Sequence, residues 1–174
     1  VETGWSCSNA VMPSTCTPIC GDGKVMPGEA CDDGDQSNLD KCNGLCTGSV
    51  SGWTCTGGTP TTASSCITTC GDGVKAASEG CDDGSVVDGD GCSSTCVVET
   101  GFTCAGSPSI CAPACGDGKK VGTEVCDDGD TNNAIGCKSD CSGFATGYAC
   151  IGGSSTAAST CNTQCGDGLK LGTE

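Results

Sequence analysis

Apolar residues occur along this chain in short stretches, and none is long enough to span a bilayer. Glycine, aspartate, asparagine and serine separate these stretches, and such residues favour turns. The pattern therefore predicts a fold made mostly of turns, with short strands before Cys55 and Cys150. Single helical turns are expected at the three Cys-x3-Cys steps, which are Cys42/Cys46, Cys92/Cys96 and Cys137/Cys141.

Cysteines recur at fixed spacing and divide the chain into repeats. The string Cys-Gly-Asp-Gly begins at Cys20, Cys70, Cys115 and Cys165, and Cys-Asp-Asp-Gly begins at Cys31, Cys81 and Cys126. From Cys20 one unit reads C-x10-C-x10-C-x3-C-x8-C-x10-C-x3, and its first two spacings are the same in all three units. We therefore predict an elongated, rod-like tandem array, with a partial repeat at residues 1–19, repeats at 20–69, 70–114 and 115–164, and a partial repeat at 165–174. Because both ends fall within a unit, we expect a stretch of a longer array.

A longer period is superimposed on this repeat. Residues 1–7 and 98–104 both read Val-Glu-Thr-Gly-aromatic-x-Cys, whereas the other two units differ there, so two unit types alternate with a period of about 96 residues. Either unlike neighbours pack as pairs, or a two-unit block was recently duplicated. We expect the recurring aromatic residue to pack on disulfides of its own or the next unit, with ligand binding as the alternative. These aromatic residues are Trp5, Trp53, Phe102 and Tyr148.

Composition indicates a small disulfide-rich fold. The chain has 21 cysteines in 174 residues but only two Trp, two Phe and one Tyr, and its 30 glycines raise the entropy cost of ordering the backbone. Dense cysteine compensates for a missing apolar core in oxidising compartments, which predicts an extracellular or cell-surface protein. Zinc is the alternative, but the sequence has no C-x2-C pair and no histidine.

The spacing favours local pairing of the fifth and sixth cysteines of each unit. The opposite scheme pairs each sixth cysteine with the next first one, which closes a very short loop. The preferred scheme leaves Cys165 unpaired and gives the disulfides Cys7–Cys16, Cys55–Cys66, Cys104–Cys111 and Cys150–Cys161. The other four cysteines of each unit pair among themselves in an order that the spacing leaves open: Cys20, Cys31, Cys42 and Cys46; Cys70, Cys81, Cys92 and Cys96; Cys115, Cys126, Cys137 and Cys141.

The net charge of −15 argues against binding to nucleic acid or to an anionic membrane surface, and it favours cations. Disulfides would gather many carboxylates into a small volume, where Ca²⁺ could neutralise them. The alternative is that each aspartate accepts backbone N–H groups in a turn or a cap. The candidate ligands are Asp22, Glu29, Asp32, Asp33, Asp72, Glu79, Asp82, Asp83, Asp88, Asp90, Asp117, Glu124, Asp127 and Asp128. No organic cofactor is expected.

Enzymatic activity is not expected. Every unit carries the same acids, which favours a scaffold over a catalytic pair, and few aromatic residues are present to line a sugar-binding cleft. Two hydroxyl-rich segments, residues 59–65 and 154–160, resemble O-glycosylated segments, with an undecorated loop as the alternative. Their candidate acceptors are Thr59, Thr61, Thr62, Ser64, Ser65, Ser154, Ser155, Thr156, Ser159 and Thr160.

The motif C-G-D-G-x5-E-x-C-D-D-G-x7-C-x3-C resembles the myxobacterial-type cysteine-rich repeat of large secreted and cell-surface proteins. The second unit, with the run Asp-Gly-Asp-Gly-Cys at residues 88–92, is the nearest match; the first unit has Lys41 where glycine precedes the third cysteine, and the third lacks the Asp-Gly-Asp run. The resemblance implies an extracellular, disulfide-rich, modular protein.

These features favour an extracellular structural repeat protein, a segment of a stalk, fibre or filament, whose partners are adjacent repeats or copies of itself, with glycans as further candidates. The first alternative is a calcium-dependent adhesion or recognition module of a surface protein. The second is an accessory repeat of a secreted protease.

Overall fold

The computed structural model describes residues 2–8 and 13–171. Within them, eight short strands pair consecutively as four separate antiparallel hairpins. Hairpin 1 joins β1 (Trp5–Ser8) to β2 (Thr15–Pro18), hairpin 2 joins β3 (Trp53–Thr56) to β4 (Ser65–Thr68), hairpin 3 joins β5 (Phe102–Gly106) to β6 (Ser109–Pro113), and hairpin 4 joins β7 (Tyr148–Ser154) to β8 (Ala157–Thr163). The prediction of small disulfide-rich repeats with short strands is confirmed. None of the described residues forms a helix that could cross a membrane.

Each hairpin has one face that carries a disulfide. The two cysteines of a hairpin are direct cross-strand partners, and side chains two residues apart in a strand share a face. The recurring aromatic residue, two positions before the first cysteine, therefore lies on the disulfide face. The opposite face is exposed to solvent, as Ile110 in hairpin 3 shows with 79% of its surface accessible.

Between the hairpins lie three disulfide-bonded units that we call core 1 (residues 20–46), core 2 (70–96) and core 3 (115–141). In each, the first cysteine is bonded to the fourth and the second to the third. Apart from Met26 and Ala145, the buried hydrophobic residues of the described chain are all cysteines of these cores. Disulfides therefore occupy the place that large apolar side chains fill in most domains.

The expected single helical turns are not found at the Cys-x3-Cys steps. The fourth cysteine of each core donates its N–H only to the carbonyl three residues earlier, for example Cys96 to Ser93 at 2.8 Å. That cysteine has a positive φ, between 51° and 55° in Cys46, Cys96 and Cys141. A left-handed residue ends a right-handed turn, so the step is an isolated turn and not the start of a helix.

Candidate functional site

The first aspartate of each Cys-Asp-Asp-Gly motif is fully buried at the centre of its core. In core 2, Asp82 Oδ2 accepts the N–H of Gly71 at 2.9 Å, and Oδ1 accepts the N–H groups of Gly73 and Gly84, both at 2.9 Å. Asp32 and Asp127 make the same bonds in cores 1 and 3. The Cys-Gly-Asp-Gly and Cys-Asp-Asp-Gly motifs thus form two halves of one site that holds a carboxylate.

Glycine is required where these two turns meet. Gly73 and Gly84 have φ values of +79° and +84°, and a Cβ built on Gly84 would lie 3.7 Å from the Cα of Gly73. Residues with side chains rarely adopt these positive φ values, so glycine is the residue that forms both turns without strain. The repeated motif therefore encodes a backbone cradle.

In core 2 the cradle favours the ionised form of Asp82. Burial alone raises the pKa of Asp82, but the hydrogen bonds from Gly84, Gly73, Gly71 and Asp72 together outweigh it and hold the pKa below its ordinary value. For this aspartate the backbone supplies the neutralising groups, as expected if the aspartate accepts backbone N–H groups in a turn.

The second aspartate of each pair faces a different segment. Asp33 and Asp128 accept the N–H of the third cysteine of their cores, at 3.1 and 2.8 Å, and Asp83 accepts the N–H of Ser85 at 3.0 Å. The remaining candidate aspartates also accept backbone N–H groups within their own turns: Asp22, Asp72, Asp88, Asp90 and Asp117. Backbone donors thus contact every candidate aspartate.

The glutamates each leave one buried carboxylate oxygen without a hydrogen-bond partner among the described residues, as Asp128 does at Oδ1. Glu29, Glu79 and Glu124 each accept one backbone N–H through Oε2 at 2.8 Å, while their buried Oε1 atoms have no hydrogen-bond partner among the described residues. In each core, a glutamate oxygen, an oxygen of the buried aspartate and the fourth cysteine's sulfur lie within 4.8 Å of one another. That sulfur belongs to a disulfide, so the two carboxylates are the only metal-binding groups of this set.

The net pKa shift of the glutamate in core 3 is opposite to that of Asp82, because burial dominates there. It raises the pKa of Glu124, and the charges of Asp127 and Asp117 add to that rise, while the N–H of Val121 offsets part of it. Core 3 therefore holds a fully buried aspartate beside a glutamate whose pKa is raised.

A serine that recurs two residues before the second cysteine of a hairpin joins that hairpin to the preceding core. The hydroxyls of Ser64, Ser109 and Ser159 accept the N–H of Asp32, Asp82 and Asp127 at 3.1, 3.0 and 3.1 Å. The serine N–H groups donate in return to the carbonyls of the same aspartates. Sequence reasoning did not find this role, although the recurrence of serine at a fixed distance from the sixth cysteine was visible.

The serine joint bears on glycosylation. Ser159 is buried and its hydroxyl is engaged, so it does not fit as an acceptor in the folded chain, and Ser64 is half-buried with its hydroxyl similarly engaged. The other candidates are exposed: Thr59, Thr61, Thr62, Ser65, Ser154, Ser155, Thr156 and Thr160.

The disulfides place twenty cysteines in ten bonds. The structure brings together the four local pairs Cys7–Cys16, Cys55–Cys66, Cys104–Cys111 and Cys150–Cys161. The cores add Cys20–Cys46, Cys31–Cys42, Cys70–Cys96, Cys81–Cys92, Cys115–Cys141 and Cys126–Cys137. Cys165 is exposed with a free thiol.

Comparison with known families gives an assignment. Residues 2–47, 53–97 and 99–142 each match the model of a domain of unknown function (DUF4215). The chain belongs to the DUF4215 family. Comparison with curated proteins finds no match. Tandem DUF4215 repeats with many disulfides fit a cysteine-rich repeat, and the match does not single out the myxobacterial type.

Each matched DUF4215 range groups a hairpin with the core that follows it, whereas the boundaries drawn from cysteine spacing group it with the core before. The hairpins contact both. Hairpin 3, for example, reaches core 2 through Ser109 and core 3 through Gly101, where an added Cβ would lie 2.8 Å from Val121. Neighbouring DUF4215 repeats are thus connected through shared hairpins.

A tight contact at Gly91 in the second DUF4215 core leads to a prediction. Gly91 has φ +117°, and an added Cβ would lie 2.5 Å from Cys111 Cβ and 2.9 Å from Phe102 Cδ1. We expect Gly91→Ala to lower the free energy of unfolding by about 3 kcal/mol, from strain and overpacking together. Gly89→Ala is the matched control, since Gly89 has φ +100° with nothing within 4 Å, and should cost about 1 kcal/mol. Calorimetry on both variants checks this, and equal losses would contradict it.

Proposed function

We propose that this DUF4215 chain is an extracellular structural repeat protein, a segment of a stalk, fibre or filament of the myxobacterial cysteine-rich type. Ten disulfides indicate an extracellular or secreted protein. The observation that carries the structural role is the way hairpins 2 and 3 each join two cores.

The contacts at both ends of these hairpins are specific. Toward the preceding core, hairpin 2 has the Ser64–Asp32 bonds, and Val25 donates its N–H to the carbonyl of Thr59 at 3.0 Å. Toward the following core, Gly52 lies so close to Val74 that an added Cβ would be 3.2 Å from Val74 Cγ1. Contacts of this kind between nearest neighbours are what support an elongated, rod-like array. The acids serve this scaffold, so the proposal assigns no catalytic residue.

Small-angle scattering and negative-stain imaging of the whole chain test the proposal. We expect elongated particles of constant length, unchanged by EDTA. Ser109→Ala removes the hydroxyl that accepts the N–H of Asp82, and it should broaden the length distribution by loosening the joint between core 2 and hairpin 3. Ser155→Ala, in the exposed turn of hairpin 4, is the matched control. Flexible beads in the unmodified chain would overturn the structural role.

The second candidate is a calcium-dependent adhesion or recognition module, and the unpartnered glutamate oxygens favour it. In each core a carboxylate oxygen of this glutamate lies within 4.8 Å of an oxygen of the buried aspartate, and Ca²⁺ accepts carboxylate, carbonyl and water oxygens in loose geometry. Because the aspartate already accepts several backbone N–H groups, a cation here would draw most of its ligands from the glutamate, carbonyls and water.

Glu124→Gln separates the two candidates. A raised pKa gives stability that is present below the unfolded value near 4.5 and is lost as pH rises through the folded value. Without calcium, the variant should therefore lack this loss and be more stable than the parent at pH 7, by up to about 1 kcal/mol. Calorimetry from about pH 4 to 8, in EDTA and in excess calcium, is the measurement. Glu29 and Glu79 keep the same arrangement in the variant, so calcium that raises the Tm of the parent more than that of the variant would favour the adhesion module. No response in either protein favours the scaffold.

A further inference from the structure

Hairpin 3 binds core 2 through a set of four groups. The carboxylate of Glu99 accepts the N–H of Gly89 at 2.8 Å and that of Gly91 at 2.8 Å. These glycines belong to the Asp-Gly-Asp-Gly-Cys run of residues 88–92, which we call the glycine loop. Phe102 and the Cys104–Cys111 disulfide lie against Gly91, and Ser109 is bonded to Asp82. Together these groups make the joint between hairpin and core.

Hairpin 1 carries the same four groups at the same positions. Residues 1–7 repeat the Val-Glu-Thr-Gly-aromatic-x-Cys sequence of 98–104, so Glu2 and Trp5 correspond to Glu99 and Phe102. Ser14 stands two residues before Cys16, as Ser109 stands before Cys111. Glu2, Trp5, Cys7 and Cys16 line an open pocket of about 300 Å³. The Glu2 carboxylate and the Ser14 hydroxyl are exposed and have no hydrogen-bond partner among the described residues.

Comparison with the other hairpins shows that the glutamate of this joint occurs only where the covered core has a glycine loop. At the position of Glu99, hairpin 2 has Val50 and hairpin 4 has Ala145, and the cores that they cover lack the Asp-Gly-Asp run. Glutamate therefore occurs with a glycine loop, and a small apolar residue occurs with the other loops. The alternation of unit types in the sequence corresponds to two kinds of joint.

We propose that hairpin 1 is a docking surface for a further DUF4215 core that presents a glycine loop. Glu2 accepts N–H groups of that loop, and Trp5 with the Cys7–Cys16 disulfide covers its second glycine. Ser14 exchanges two hydrogen bonds with the backbone of the core's buried aspartate. The glycine loop is recognised by backbone donors and by its lack of side chains, so a loop with lysine before the third cysteine, as in core 1, is a poorer ligand.

The cores of a second copy do not fit this surface. Core 1 is already covered by hairpin 2, core 2 by hairpin 3 and core 3 by hairpin 4, each through the serine–aspartate bonds. The occupant is therefore a core other than these three. This inference goes beyond the structural role, because it holds whether the array bears load or displays a binding surface.

The test places residues 70–97 directly before Val1, so that the sequence of core 2 enters hairpin 1 as it enters hairpin 3. Trp53→Phe leaves Trp5 as the sole tryptophan. We expect acrylamide quenching of Trp5 to fall about threefold relative to the unextended chain, with two more disulfides by intact mass. Glu2→Ala should restore most of the quenching in the extended chain and change little in the unextended one. Glu99→Ala is the matched control, because Glu99 is the counterpart of Glu2 in the joint that the structure describes.

A second extension tests selectivity, with residues 20–47 in place of 70–97. We expect it to protect Trp5 less, because its loop has Lys41 where core 2 has Gly91. Equal protection by both cores would overturn the glycine loop as the ligand. Unchanged quenching in the first extension would overturn the docking surface itself. So would failure of the added core to form its disulfides, since hairpin 3 accommodates the same sequence.

Discussion

Replacing Asp82 by asparagine lowers the free energy of unfolding by about 3 kcal/mol or more, which is our expectation for the buried carboxylate of core 2. Both oxygens of Asp82 accept backbone N–H groups, from Gly71 on one side and from Gly73 and Gly84 on the other. An amide can accept on one side only, so its NH₂ group would face a backbone donor in either orientation. The side chain is fully buried, and water cannot relieve the conflict.

Asp83→Asn is the matched control, because it makes the same chemical change one residue away. Asp83 is half-buried and accepts one N–H, from Ser85. Its replacement should cost less than about 1 kcal/mol. Scanning calorimetry, with free-thiol counting to verify that all disulfides have formed, distinguishes the two variants. Equal melting temperatures would show that the cradle contributes nothing beyond an ordinary turn.

The same aspartate predicts a loss of stability in acid. Because its pKa is lowered in the folded state, Asp82 contributes stability that is present above the unfolded value near 3.8 and is lost as pH falls through the folded value. The parent should therefore lose melting temperature steeply below about pH 4, whereas Asp82→Asn should show a shallower decline. A parallel decline in both proteins would contradict this assignment.

Removing the Cys81–Cys92 disulfide is expected to cost more than removing Cys104–Cys111. Their loops differ little, with sequence separations of 11 and 7, so chain entropy gives each about 2–3 kcal/mol. Cys81 and Cys92 are also fully buried at the centre of core 2, whereas Cys104 and Cys111 are half-buried. We expect the paired alanine substitutions in the core to cost about 2 kcal/mol beyond those in the hairpin, from the added cavity.

Calorimetry of the two double variants, each with nine disulfides by intact mass, makes the comparison. Hydrogen exchange should locate the damage in residues 70–96 for the core variant and leave cores 1 and 3 protected. Equal destabilisation of the two variants would mean that the disulfides act through chain entropy alone, and not as the apolar core of the unit.

The hairpins could be predicted from the sequence because their disulfides join cysteines that are close together in the chain. Two cysteines on adjoining short strands can pair only if they lie opposite each other, which places the aromatic residue on the disulfide face. The disulfide pairing of the four cysteines in each core could not be predicted, since spacings of 10, 10 and 3 allow several pairings. The prediction of helical turns was wrong for a related reason. The Cys-x3-Cys spacing matches the pitch of a helix, but spacing does not give the sign of φ at the last cysteine.

The paired aspartates show the same limit of prediction from sequence more clearly. Asp32 and Asp33 are neighbours of the same type, yet the first lies in the glycine cradle and the second contacts the third cysteine. Their division of roles depends on the approach of two turns that are 11 residues apart in sequence, as Gly21 and Asp32 are. Calcium at the glutamates and glycans on the exposed hydroxyls stay predictions.

The nesting of the disulfides limits how far the oxidised chain could be stretched. In the first unit, a pulling force passes through the Cys20–Cys46 bond, along residues 46–55, through the Cys55–Cys66 bond, and along residues 66–70 to the next core. The residues inside the loops lie off this path, so only about a quarter of the unit adds to its contour length. Even with every hairpin joint open, the array would behave as a short tether in an oxidising medium and as one several times longer once reduced.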